Sequence, residues 1–163
     1  MQVGTSMNIS AESRYYTAEG DQLGRGPLPP EVGKETKYWA LVTISNSTSV
    51  VGNPQFRAVL PPPVTWTGRS SVSHGSDLSY SETTRTVSWS HNALGRNQAT
   101  GLYMELAYTP SPSDVGKSLP LLEQITITGT DAYIDTPLRA SAANIDTSLS
   151  TDTRAQQRGV LVR

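Results

Sequence analysis

The chain lacks cysteine altogether, which excludes disulfides and thiolate-bound metals. Charge is also scarce: Asp, Glu, Lys and Arg make up 17% of 163 residues, against the roughly one quarter usual for soluble proteins. The net charge of −1 leaves no basic excess to hold a phosphate backbone, so nucleic acid is not an expected partner. No apolar run approaches the ~20 residues of a membrane span, so membrane insertion is not expected either. The first ten residues, MQVGTSMNIS, have neither a basic start nor an apolar core and do not read as a signal peptide. Helical periodicity is missing over any ordinary helix length, and no segment repeats another. What replaces the missing charge is hydroxyl: 20 Ser and 19 Thr. Threonine favours strands, and a hydroxyl surface suits an extracellular β domain.

The most informative stretch runs from Thr36 to Trp66. Tyr38, Ala40, Val42 and Ile44 share one strand face, and Trp39, Leu41, Thr43 and Ser45 share the other, which fades from apolar to polar. Asn46 to Ser49 is a run of short polar side chains suited to a turn. Phe56, Ala58 and Leu60 resume the alternation. Pro61, Pro62 and Pro63 offer no backbone donors, so the chain there is at an edge or crossing between sheets.

Elsewhere, Thr5 to Thr17 alternates weakly, with Met7, Ile9, Ala11 and Tyr15 in register. Ala18 to Lys34 is rich in glycine and proline and long enough to cross between two sheets. Gly68 to Asp77 reads as a Ser/Gly loop and Leu78 to Tyr80 as a short strand. A strand over Thr84 to Ser90 places Val87 and Trp89 on one face. Asn92 to Asn97 reads as a turn. Thr100 to Thr109 is strongly alternating, with Leu102, Met104, Leu106 and Tyr108 inward. One helical turn starting at Ser111 or Ser113 suits the proline break after that strand. Leu121 to Thr130 buries Ile125 and Ile127, Asp131 to Asp135 forms a hairpin tip, and Leu138, Ala140 and Ala142 mark the last sandwich strand. The expected fold is all-β, an immunoglobulin-like Greek-key β-sandwich of about 7–9 strands. Residues 1–145 form the module, and residues 146–163 a polar linker with a short terminal strand.

Three segments carry a family resemblance: Ile44-Ser45-Asn46-Ser47-Thr48, Leu60-Pro61-Pro62-Pro63-Val64-Thr65-Trp66 and Thr86-Val87-Ser88-Trp89. In that order they resemble the "TNTS", "LPPGVTW" and "TVTW" pieces of an immunoglobulin-like repeat domain of bacterial cell-surface proteins. The best-matched part runs from about Gly33 to Thr130. Pro63 departs from the family's usual glycine and forbids a positive φ there. The resemblance implies a structural or adhesive module, one of several in a longer exported precursor.

Candidate sites are few. His74 and His91 are the two histidines, and both read as loop or strand-exit residues rather than catalytic bases. Glu105 and Glu123 are strand carboxylates, expected to face solvent rather than to pair as glycosidase groups. The candidate calcium ligands are Asp131, Asp135 and Asp146, with Asp152 behind them, as hard oxygen donors from loops. Lys37, Glu105 and Asn144 have the residue types of the internal isopeptide crosslink found in some surface sandwiches, a reading implied by the resemblance alone. Trp39, Tyr103 and Tyr133 are the aromatics from which a glycan platform could be built, although partly covered sheet faces explain the first two more simply. Gly24-Arg25-Gly26 lacks the following helix that a phosphate loop needs, and Asn8 and Asn46 begin glycosylation triplets.

The function expected is a non-catalytic spacer or assembly module of an extracellular or cell-surface protein, with no cofactor unless calcium. The alternatives are an adhesin domain binding surface glycan or calcium through its end loops, and an accessory domain of a larger secreted enzyme. Expected partners are neighbouring modules or identical subunits, reached through edge strands or through Val160 to Val162, whose apolar run would pair with an edge.

Overall fold

The structure is a computed structural model and describes residues 7–17, 21–46 and 50–147. Two antiparallel sheets face each other. The first contains β1 (Met7–Arg14), β2 (Thr36–Asn46), β4 (Val64–Val72) and β8 (Ala99–Tyr108), in the order β1-β2-β8-β4. The second contains β3 (Val51–Val59), β5 (Ser79–Ser81), β6 (Thr86–Ser90), β9 (Pro120–Asp131) and β10 (Thr136–Ala142), in the order β10-β9-β3-β6-β5. Two short pieces extend it: β7 (Ala93–Leu94) pairs with β3, and β11 (Ile145–Asp146) pairs with β9. The immunoglobulin-like sandwich expected from the sequence is therefore present. The eleven strands among the described residues exceed the expected number because β5, β7 and β11 are only two or three residues long.

Alternation decides which faces meet. In β2 every second residue from Thr36 to Asn46 is buried, and in β8 Leu102, Met104, Leu106 and Tyr108 point the same way. Phe56 and Ala58 of β3, Val87 and Trp89 of β6, and Ile125 and Ile127 of β9 come down from the second sheet to meet them. All eleven residues expected to share a core do so, namely Val42, Ile44, Phe56, Leu60, Val87, Trp89, Leu102, Met104, Leu106, Ile125 and Ile127.

Both long sides of the sandwich are closed. On one side Trp66 of β4 stacks on Tyr80 of β5, with ring centroids 5.6 Å apart. On the other, β1 lies against β10 and β11, and Ser13 Oγ donates to the Asp146 carbonyl at 2.8 Å. The chain stays anchored just past β11: Thr147 is buried, its N–H donates to the Leu119 carbonyl and its hydroxyl accepts from the Leu119 N–H.

Three local expectations change. The Ala18–Lys34 connection does not cross between sheets, because β1 and β2 are neighbours in one sheet. Instead it returns along β2, where Leu23 and Gly24 donate to the Tyr15 carbonyl and Arg25 bridges Lys37. Gly24 and Gly26 are needed for that approach, since a Cβ on Gly24 would sit 2.3 Å from the Tyr15 ring and one on Gly26 2.2 Å from the Glu35 carbonyl oxygen. The Gly68–Asp77 loop is shorter than expected. β4 continues to Val72 after a bulge at residues 67–69, where Gly68 takes φ +93°. Asn46 is a buried strand end rather than a turn residue, its side chain holding the Gln98 N–H and the Leu94 carbonyl. β2 and β3 lie in different sheets, so the chain changes sheets between them.

The triple proline is a crossing from β3 to β4, with Val64 N–H donating to the Pro61 carbonyl. Prolines remove donors but keep their carbonyls, which still need partners. Arg85 supplies them. Its Nε donates to Leu60 O at 3.0 Å and its Nη2 to Pro61 O at 2.8 Å and Pro62 O at 3.2 Å, with a further bond to Val64 O. Arg85 sits in the β5–β6 turn at φ +53°, a conformation uncommon for a side-chain-bearing residue. The single helical turn is also found, as a 3₁₀ turn over Pro112–Asp114 behind Ser111.

Candidate functional surfaces

Among the described residues no group of three or more His, Cys, Asp or Glu is placed to hold a metal ion. Asp131 ends β9 and is buried, its Oδ1 accepting from the N–H groups of Tyr133 (2.9 Å) and Ile134 (3.4 Å), so it shapes the β9–β10 turn. Asp135 is exposed within that turn. Asp146 pairs with Pro120 at the opposite end of β9, and eleven strand steps at ~3.3 Å put about 36 Å between the two places. The structure does not bring Asp131, Asp135 and Asp146 together, and Asp152 lies outside the described residues. Saturating calcium should accordingly leave the melting temperature unchanged. A rise of several degrees, abolished by chelator, would show a site bound only in the folded state.

The other constellations are likewise dispersed. His74 has its ring Nδ1 3.3 Å from Thr100 Oγ1 and its carbonyl accepting from Trp89 Nε1, while His91 packs beside the Trp89 ring. Neither forms an ion pair with a carboxylate among the described residues. Glu105 and Glu123 belong to different sheets, so they cannot flank one bond. Lys37 reaches Glu35 at 3.8 Å, and Asn144 lines a groove of about 480 Å³ between β1 and the β10–β11 corner, away from β8. The crosslink residues therefore do not converge.

Glu105 corrects the expectation of a solvent-facing carboxylate. It points away from the core, opposite Trp39, yet is 1% exposed. Arg69, carried on the β4 bulge, brings Nη1 to 3.8 Å from its Oε2, and Oε1 has no hydrogen-bond partner among the described residues. Alternation shows which side a residue takes; it does not show that a bulge three residues long will fold over that side. Trp39, Leu41 and Tyr103 are half-buried on the same outer face, with the Tyr103 ring lying over Gly101, which accounts for them as partly covered sheet residues. Tyr133 stands apart at the β9–β10 turn, 65% exposed.

The titrating groups inside the fold are structural. Burial, then the neighbouring Tyr108 and Tyr15, pushes the Tyr38 phenol well above its ordinary value. Tyr108 is pushed up by burial and by its hydrogen bond to Asp114. Asp114 is held below the usual carboxylate range, chiefly by the Ser111 N–H at 2.9 Å. These bonds tie the 3₁₀ turn to the end of β8.

No protein-family model matches the chain, and no curated protein matches it by sequence. Solved structures do. The full-length major pilin SpaD of Corynebacterium diphtheriae superposes with a TM-score of 0.54 at 10% identity, covering 88% of this chain and 34% of that one. The major pilin subunit BcpA of Bacillus cereus gives 0.52 at 9% identity, covering 87% and 40%. Three N-terminal domains of the type V pili tip protein Mfa5 of Porphyromonas gingivalis give 0.52 at 9%, covering 63% and 22%. The chain thus spans between about a fifth and two fifths of these structures. At such identities the likeness establishes the fold: an immunoglobulin-like sandwich of the kind built into bacterial pilins and surface proteins.

Proposed function

We propose that this chain is a non-catalytic structural module of a bacterial extracellular or cell-surface protein, transmitting load between whatever lies on either side of it. The observation that carries this reading is where the chain enters and leaves the sandwich. Met7 opens β1 beside Asn46, whereas Asp146 lies beside Ser13. Six strand steps at ~3.3 Å separate these places by about 20 Å along the strands. A pull applied at Met7 and at Asp146 therefore draws β1 lengthwise against β2, loading the whole ladder from Met7–Asn46 to Arg14–Trp39 together. The fold shared with pilin subunits, and the dispersal of the candidate catalytic residues among the described residues, support the same reading. The expected edge pairing of Val160 to Val162 belongs to residues outside those described.

The test is single-molecule force unfolding, made simpler by the absence of native cysteine. Handles at Met7→Cys and Asp146→Cys should require a markedly higher force than handles at Asn8→Cys and Ser45→Cys, a facing pair whose separation opens the β1–β2 ladder one bond at a time. Equal forces in the two geometries would remove the load-bearing reading.

A further inference from the structure

The outward face of the second sheet is a hydroxyl surface carrying two cations. Arg57 on β3 stands opposite Thr126 of β9, and Arg139 on β10 stands opposite Thr128 two residues further along. The two arginines therefore flank β9 diagonally, two strand spacings apart, or about 10 Å across the sheet. Both are exposed, and among the described residues neither side chain makes an ion pair or a hydrogen bond. Glu123, beyond the bulge at Gln124, faces Val59 and pairs with neither arginine.

Between the arginines is a shallow depression of about 600 Å³, walled by Val59, Thr84, Thr86, Gln124, Thr126 and Thr128. A second depression, of about 390 Å³, adjoins it on the far side of Arg57 and is lined by Ser79, Ser88 and Ser90. Arg57 lines both, so the two form one trough across the strands from β10 to β5. β3, β5, β6 and β9 contribute neutral donors and acceptors to this trough, β10 contributes Arg139, and the two guanidinium groups are the only charged groups that line it.

We propose that this face binds an acidic polysaccharide, with carboxylates of successive sugar units held by Arg57 and Arg139. Two features select that ligand. Guanidinium groups without internal partners match carboxylates in charge and in their paired donor geometry. The Ser, Thr and Gln side chains between them can donate and accept, as sugar hydroxyls require. The inference does not depend on the load-bearing role.

The test uses the full chain in affinity electrophoresis through gels containing polygalacturonic acid, at low and at moderate salt. Wild type should be retarded, more strongly at low salt. Arg57→Gln and Arg139→Gln should each weaken retardation, and the double variant should lose it by about tenfold or more in apparent affinity. Its melting temperature should match wild type, because neither side chain has an intramolecular partner to lose. Retardation that survives the double substitution, or none at low salt, would overturn the proposal. Equal retardation by polyglutamate would reassign the face to acidic peptides. A dimer on sizing that the double substitution dissolves would reassign it to a second copy of the chain.

Discussion

Leu106→Ala should destabilise the protein by about 2–5 kcal/mol. Leu106 lies mid-β8, is fully buried, and belongs to the core where both sheets meet. β8 pairs with β2 on one side and β4 on the other, so it has no free edge along which to shift. Truncation removes three carbons, and packed neighbours from two sheets relax only partly into the space. In a domain of this size a loss near the middle of that range lowers the melting temperature by roughly 10 °C. Chemical denaturation read by Trp fluorescence would measure it. A change below about 1 kcal/mol would mean that the sandwich core is loosely packed.

Arg85→Met should cost about 2–4 kcal/mol, although Arg85 is neither apolar nor in a strand. The substitution keeps most of the side-chain length and removes the guanidinium. Four carbonyls of the β3–β4 crossing then lose the guanidinium, and of these Pro61 O keeps the Val64 N–H. The crossing cannot repair itself, because Pro61, Pro62 and Pro63 bring no N–H groups, and water can reach only part of it. The unfavourable φ at Arg85 remains without the bonds that offset it. Arg85→Lys should recover less than half of the loss, since a single ammonium cannot span the crossing as the planar fork does. Thermal denaturation of the two variants tests this. Equal stability of Arg85→Met and wild type would show that the crossing is held by the strands alone.

These two positions differ in how far the sequence reveals them. Leu106 is visible from alternation, because its neighbours at Leu102, Met104 and Tyr108 repeat every second residue, and strand geometry sends such residues to one side. The same holds for β2, for Val87 and Trp89, and for Ile125 and Ile127. Arg85 is not visible, since it looks like any polar residue in a Thr-rich turn. Its four acceptors lie 21 to 25 positions earlier in the chain. Likewise the run of prolines announced a break but not what would satisfy its carbonyls.

The sequence by itself determined the fold class and the inward face of each long strand, because these depend on composition and on a two-residue period. The tertiary structure alone decided the order of strands, the return of the β1–β2 connection to the same sheet, the burial of Glu105 beneath the β4 bulge, and the meeting of Arg57 and Arg139 across β9 from positions 82 residues apart. Side-chain alternation is a property of a few neighbouring residues. Which strand pairs with which, and in what register, depends on the summed packing of partners distant in the chain, and no local period records it.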